Sequence, residues 1–327
     1  MRNFRWLAVA LILALALGLI TGCGGSGSSS EETQNSSERK EAVIDKWIFA
    51  TDHEFSVRPD GLPELEETYG FQFDEIAVMD YGVTYGALKD GKVAAAMGFA
   101  TDGRIGAFNL VNLVDDKKFF PVYNPAPVVR KEVLDKYPEI ADVLNPIGPK
   151  LDTKTMIELN GKVDIEGMEP KEVAKEWLLE QGLIEDKEVE ATKGPITVGS
   201  KQFTEQLILG QMTILALENA GFKVIDKTEL GGTQVARQAL EEGEIDLYWE
   251  YTGTAWLGPL GHEKAITDTQ ECYEKVKKED LAKNNLVWLD YARFNNTYTI
   301  MMRAEDAKAL GIKSISDLAD VINSQKS

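Results

Sequence analysis

The run Ile196-Thr-Val-Gly-Ser-Lys-Gln-Phe-Thr-Glu-Gln-Leu-Ile-Leu-Gly210, carried on through Phe222-Lys-Val-Ile225 to Ile245-Asp-Leu-Tyr-Trp249, decides the fold. Ile196–Gly199 reads as a short strand and Ser200–Thr204 as a turn. Glu205–Ala220 holds Leu207, Ile208, Met212, Leu215 and Ala216 at helical spacing, and Gly221 is placed to end that helix in a left-handed conformation. Phe222–Ile225 is a second strand, Gly231-Gly232 a turn, Gln234–Glu242 a helix closed by Gly243, and Ile245–Trp249 a third strand. Strand, helix, strand, helix, strand in this order builds a parallel sheet.

The same rhythm occurs nearer the front. Lys46–Thr51 reads as a strand, Leu62–Tyr69 as a helix ending at Gly70, and Asp74–Met79 as a strand. Tyr81–Lys89 follows as a helix and Val93–Phe99 as a strand. The two regions share architecture, not sequence. Between them, 130–181 is mainly helical in pattern, and 185–194 is polar, charged and aperiodic, a linker. Two α/β lobes follow from this reading, with strand ends and helix N-termini lining a shared cleft where small ligands commonly bind.

The chain has 327 residues, and at about 150 residues per domain it has length for two cores. The 35 basic and 54 acidic residues leave a formal charge of −19, which argues against broad nucleic-acid binding because phosphates require a cationic surface. Two cysteines, Cys23 and Cys272, exclude a disulfide framework and a cysteine-based metal site. Cys272 reads as a semi-buried structural residue. The two histidines, His53 and His262, leave little for histidine catalysis.

Arg2 and Arg5 precede an uncharged apolar run, Trp6–Ile20, that is shorter than the roughly 20 residues of a spanning helix. The run ends in Ile20-Thr-Gly-Cys23. That tetrad resembles a bacterial lipobox, so residues 1–22 are expected to be a lipoprotein signal peptide cleaved before a lipidated Cys23. A permanent membrane anchor is the competing reading. Residues 23–42, rich in Gly, Ser, Glu and Asn, then read as a flexible tether. The expected location is the extracytoplasmic face of the cell membrane.

Sequence patterns of zinc helices, nucleophile elbows and phosphate loops do not occur. His53-Glu54 lacks the second histidine of a zinc helix. A hydrolase with paired carboxylates, using Glu54 and another acid, remains as an alternative function, as does a sensor module on the same fold. The informative feature is four loops that combine polar and aromatic residues: Asp52–Gly61, Phe119–Pro125, Tyr248–Thr254 and Phe294–Tyr298. Binding residues concentrate on loops carried by rigid scaffolds, whereas a lone aromatic is more often core.

Within those loops and beside them stand Gly199-Ser-Lys-Gln-Phe-Thr-Glu-Gln206, Glu250-Tyr-Thr-Gly-Thr254, Asn295-Asn-Thr-Tyr298, Glu54-Phe-Ser-Val-Arg-Pro-Asp-Gly-Leu62 and Thr101-Asp-Gly-Arg-Ile105. Together these resemble signatures of the substrate-binding proteins of ABC importers for glycine betaine, choline, carnitine and related osmoprotectants. The similarity covers 46–327. It implies a type II periplasmic-binding-protein fold, two α/β lobes with a hinge and a central ligand cleft, and a protein that binds without catalysing a reaction. The order of the halves departs from the family: 196–327 should come first and 46–185 second, so the chain resembles a circular permutant with 185–194 joining the old ends. Lobe two is then 43–105 plus 294–327, and lobe one is 106–293. Exchange of halves between two chains is the alternative, and a monomer is expected.

The resemblance also implies a site. A quaternary ammonium has no N–H to donate, and its diffuse charge suits aromatic faces. Carried over by motif, Tyr251, Tyr298 and Tyr123 form the cage, with Phe99 as a fourth wall where relatives often have Tyr. A ligand carboxylate would meet Arg58, with Lys201, Gln202 and Thr254 as further donors. Glu54 either pairs with Arg58 or crosses the lobe boundary. The implied partners are a quaternary ammonium ligand and the membrane permease, and no cofactor is called for.

Overall fold

The computed structural model describes residues 44–58 and 60–326. The expected signal peptide, the tether and Cys23 lie outside the described residues, and among those described no helix is long and apolar enough to cross a membrane.

Among the described residues, ten strands form two five-stranded mixed sheets. The first contains β1 (Ile48–Thr51), β2 (Glu75–Val78), β3 (Ala95–Phe99), β4 (Leu110–Asn112) and β10 (Tyr298–Arg303), in the order β2-β1-β3-β10-β4. The second contains β5 (Pro125–Arg130), β6 (Lys193–Gly199), β7 (Phe222–Lys227), β8 (Leu247–Tyr251) and β9 (Leu286–Trp288), in the order β7-β6-β8-β5-β9. In each sheet three parallel strands accept an antiparallel one: β10 beside β3, and β5 beside β8. The protein therefore has an α/β two-lobe fold.

Strand β4 pairs with β10, Met301 opposite Asn112, so the first sheet extends past the crossing expected at 105–106. Strand β5 lies in a stretch without a strand signal, because Pro125 and Pro127 lack ladder donors. Here the carbonyls carry the pairing: Leu289 N–H donates to the Pro127 carbonyl and Ala292 N–H to that of Pro125.

Helices Leu62–Tyr69 and Tyr81–Lys89 fall where their periodicity places them. Gly70 (φ +73°) closes the first, its N–H donating to the Glu66 carbonyl. Helix Thr204–Asn219 is apolar on most of its circumference because it is covered on both sides. Ile208, Leu209, Met212 and Leu217 meet Val198 and Leu247 of the second sheet, and also Val173, Trp177 and Leu178 of helix Pro170–Glu180. Each such fully buried side chain contributes roughly 1.5–3 kcal/mol of burial free energy. Lobe two closes over Phe49, Leu65, Met97, Ile300 and Leu318. Cys272 is fully buried in helix Thr269–Asn284, and burial pushes its thiol up to about 11.

The chain crosses between the lobes at 113–124 and again at 289–297, and the crossings are bonded to each other. Tyr123 N–H donates to Asn295 Oδ1 (2.7 Å), Asn296 N–H to the Tyr123 carbonyl (3.1 Å), and Asn124 Nδ2 to the Phe294 carbonyl (2.8 Å). The carboxyl ends of β1, β3, β6 and β8 and the start of β10 all deliver residues to the cavity between these sheets.

Candidate ligand-binding site

That cavity encloses about 50 Å³. All nine residues expected at a site, Glu54, Arg58, Phe99, Tyr123, Lys201, Gln202, Tyr251, Thr254 and Tyr298, line it. Asp52, Tyr81, Phe203, Thr233 and Asn296 line it too, and sequence reasoning alone does not single them out. At about 10–15 Å³ per water-sized group, the space holds some three to five such groups. It opens beside a wider groove of about 950 Å³ that shares Asp52, Glu54, Arg58, Tyr81 and Thr254 as walls.

The aromatic wall is continuous. Phe99 lies 5.2 Å from Phe203 at an interplanar angle of 22°, 5.2 Å from Tyr81 and 5.1 Å from Tyr298. Phe203 lies 6.1 Å from Tyr251, nearly parallel, and Tyr123 meets Tyr298 edge-on at 5.5 Å. Burial raises the phenols of Tyr81, Tyr123, Tyr251 and Tyr298 far above their ordinary value, so all four stay neutral. The hydroxyl of Tyr81 accepts from Arg104 Nη2 at 2.7 Å, and Arg104 is held by Asp102. The Thr101–Ile105 segment therefore fixes one wall of the box.

Arg58 stands beside this wall, 5.0 Å from the Tyr298 ring centre, and its five donors all have protein partners. Nε donates to Asp60 Oδ1, Nη2 to Asp60 Oδ2 at 2.8 Å and to Thr254 Oγ1 at 3.4 Å, and Nη1 to Glu54 Oε1 at 3.0 Å and Tyr298 Oη at 2.7 Å. The planar fork expected to receive a ligand carboxylate is closed by Asp60, a residue two positions along the chain. Only the long Thr254 contact is weak enough to exchange readily. Lys201 is similarly committed: Nζ donates to Glu250 Oε1 at 2.6 Å and to Thr233 Oγ1 at 2.9 Å, and it stands 5.2 Å from the Tyr251 ring centre.

Glu54 does both things foreseen for it. It pairs with Arg58 and crosses the cleft, where Oε2 accepts from the Thr233 N–H (3.3 Å) at the start of helix Thr233–Glu241. A Cβ at Gly232 would stand 2.7 Å from that oxygen, so glycine at this position admits the approach. Burial penalises the Glu54 carboxylate, but the charges of Lys201 and Arg58 outweigh it and hold the carboxyl below its ordinary value. Burial raises Asp52 to about 6.

Glu205 is not marked as a site residue by its position in the sequence. A glutamate in the first turn of a helix ordinarily faces water and complements the helix dipole. Here it is buried, accepting from Tyr251 Oη (2.6 Å) and Asn296 Nδ2 (2.9 Å) on one oxygen, and from Thr101 Oγ1 (2.5 Å) and Asn160 Nδ2 (3.3 Å) on the other.

A two-lobe α/β fold with an aromatic cavity between its sheets is the arrangement expected of a solute-binding protein. Residues 35–180 and 194–327 match the family described as the substrate binding domain of ABC-type glycine betaine transport systems, and the chain belongs to that family. It is similar to a glycine-betaine-binding protein of Pseudomonas aeruginosa, 48% identical over 141 residues, which covers 42% of this chain and 45% of that one. The glycine betaine-binding protein YehZ of Escherichia coli is 41% identical over 126 residues, 38% of this chain and 41% of that protein. A crystal structure of a glycine betaine/carnitine/choline ABC transporter is 33% identical, covering 42% of this chain and 50% of that one, with a TM-score of 0.34. The chain thus matches less than half the length of these curated relatives.

Proposed function

We propose that this protein is the extracytoplasmic receptor of an ABC importer and that it captures a quaternary ammonium solute such as glycine betaine, carnitine or choline. The observation that carries the reading is the gathering of Phe99, Tyr123, Tyr251 and Tyr298, with Tyr81 and Phe203, around one small cavity. Aromatic faces attract a cation that offers no proton, and they pack against its methyl groups, each good cation–π contact contributing about 0.5–2 kcal/mol. The onium head matches a space for a few water-sized groups, and a longer ligand would extend into the adjoining groove. Contacts that span the lobes, Glu54 to Thr233, Arg58 to Thr254 and Thr101 to Glu205, fit closure by a hinge once ligand is bound. The permease would then receive the closed form.

Anchoring through a lipidated Cys23 belongs to the same proposal and rests on the Ile20–Cys23 pattern. So does the permuted order. The two glycine betaine-binding relatives above each align over less than half of this chain, and the family match is interrupted at 181–193, across the linker. Trp47 Nε1 donates to Gln325 Oε1 at 2.7 Å, so the segments that a conventional order would join directly are already in contact.

Calorimetric titration with choline and glycine betaine tests the assignment. Saturable binding, weakened by about tenfold or more in Tyr251→Ala through loss of cation–π and apolar contact, is expected. Absence of heat with every quaternary ammonium offered to folded protein overturns it.

A further inference from the structure

Two other buried carboxylates at the cavity each have a cation beside them: Asp60 has Arg58, and Glu250 has Lys201. Glu205 has none among the described residues: its four contacts are hydrogen bonds from Tyr251, Asn296, Thr101 and Asn160. A carboxylate removed from water without an opposite charge is costly even when hydrogen-bonded, and such a group persists where something else supplies the charge. Two of its donors, Tyr251 and Asn296, line the cavity.

We infer that Glu205 is the counter-charge for the cationic head of the ligand, acting through Tyr251; this rests on the quaternary ammonium reading of the cavity. Two physical routes operate. The negative charge lies one side chain behind the cavity wall, in a low-dielectric setting where Coulomb attraction is weakly screened. The Tyr251 hydroxyl, donating to a carboxylate at 2.6 Å, is polarised so that its ring becomes more electron-rich toward a cation. Burial raises the Glu205 carboxyl above its ordinary value and so works against its charge, and a cation in the box would act in the opposite direction, favouring the ionised form. Glu205 is a positioning residue in the sense that it touches the ligand only through the ring. Because Thr101 and Asn160 reach the same carboxylate from β3's loop and from helix Thr153–Asp164, the charge is also fixed relative to both lobes.

The test compares two ligands of the same shape: choline, and its uncharged carbon isostere in which a quaternary carbon replaces the nitrogen. Calorimetry on the wild-type chain is expected to favour choline. In Glu205→Gln the preference for choline over the isostere should fall by about tenfold, with the isostere's own affinity held within about twofold. Tyr251→Phe, which removes the hydroxyl link and leaves Glu205 and the ring in place, should reduce the same preference by a smaller factor. An equal loss for both ligands in both variants would mean that Glu205 is only structural, and an unchanged preference would mean that its charge is not felt; either overturns the inference while leaving the aromatic site intact. Failure of the wild-type chain to bind choline or any other quaternary ammonium overturns the inference and the site assignment together.

Discussion

Asp52 caps helix His53–Val57 through the Phe55 N–H at 2.7 Å while lining the cavity, and it is the carboxyl with a displaced titration in an accessible range. Burial raises its pKa from 3.8 to about 6, with Glu54 adding repulsion and the Phe55 hydrogen bond and Arg58 opposing. The folded state therefore binds this proton more tightly than the unfolded chain does. Between pH 3.8 and about 6 the sign is that stability falls as pH rises, and the loss is complete above the folded value. Asn keeps the cap but cannot ionise, so Asp52→Asn should flatten this component of the pH profile and raise the melting temperature at neutral pH. Thermal unfolding of both proteins across that window checks it; an unchanged profile in the variant would show that Asp52 ionises in the fold as freely as in water.

At the scale of elements, helix Thr233–Glu241 presents its first residues to the cavity and is anchored from behind. Arg237 donates Nη1 and Nη2 to Asp280 of helix Thr269–Asn284 at 2.9 and 2.5 Å, and Trp288 Nε1 donates to the same carboxylate at 2.8 Å. Both charges are buried. Arg237→Ala leaves Asp280 without its counter-ion and should cost about 3–5 kcal/mol in denaturant unfolding, whereas replacing both residues by apolar ones of similar volume should recover most of the loss. Failure of the double replacement to recover stability would locate the penalty in packing. The elements themselves are unevenly legible in the sequence. Leu62–Tyr69 and Tyr81–Lys89 can be read because apolar periodicity coincides with glycine or charge at their ends. Strand β5 cannot, because its prolines carry the signal of a loop and only its position between β8 and β9 makes it a strand. In the site, Tyr251 and Arg58 stand out within loop motifs. Phe203 and Tyr81 do not, since each sits at a helix start where an aromatic is ordinarily core. The commitment of Arg58 to Asp60, and the burial of Glu205, depend on three-dimensional neighbours that no local pattern encodes.

At the scale of the molecule, the contact of Trp47 with Gln325, and of Lys326 with Asp74 at 3.0 Å, brings the two edges of the described body together. A rearranged gene that starts at 195, joins 326 to 46 through a short linker and ends near 185 should fold to the same two sheets. Its ligand affinity should stay within about threefold, because the pocket contacts are indifferent to where the chain is cut. Circular dichroism and calorimetry on that rearranged chain decide the matter. A product that fails to fold would show that 185–194 is more than a connector.

The paired crossings have a mechanical corollary. Two independent tethers would let the lobes twist, shear and bend separately, but Asn124 and Asn295 stitch these two into one ribbon. Bending either segment of that ribbon would bend its neighbour, so a relative movement of the lobes would be channelled toward a swing about an axis across the ribbon. A single interlobe distance would then follow such a swing.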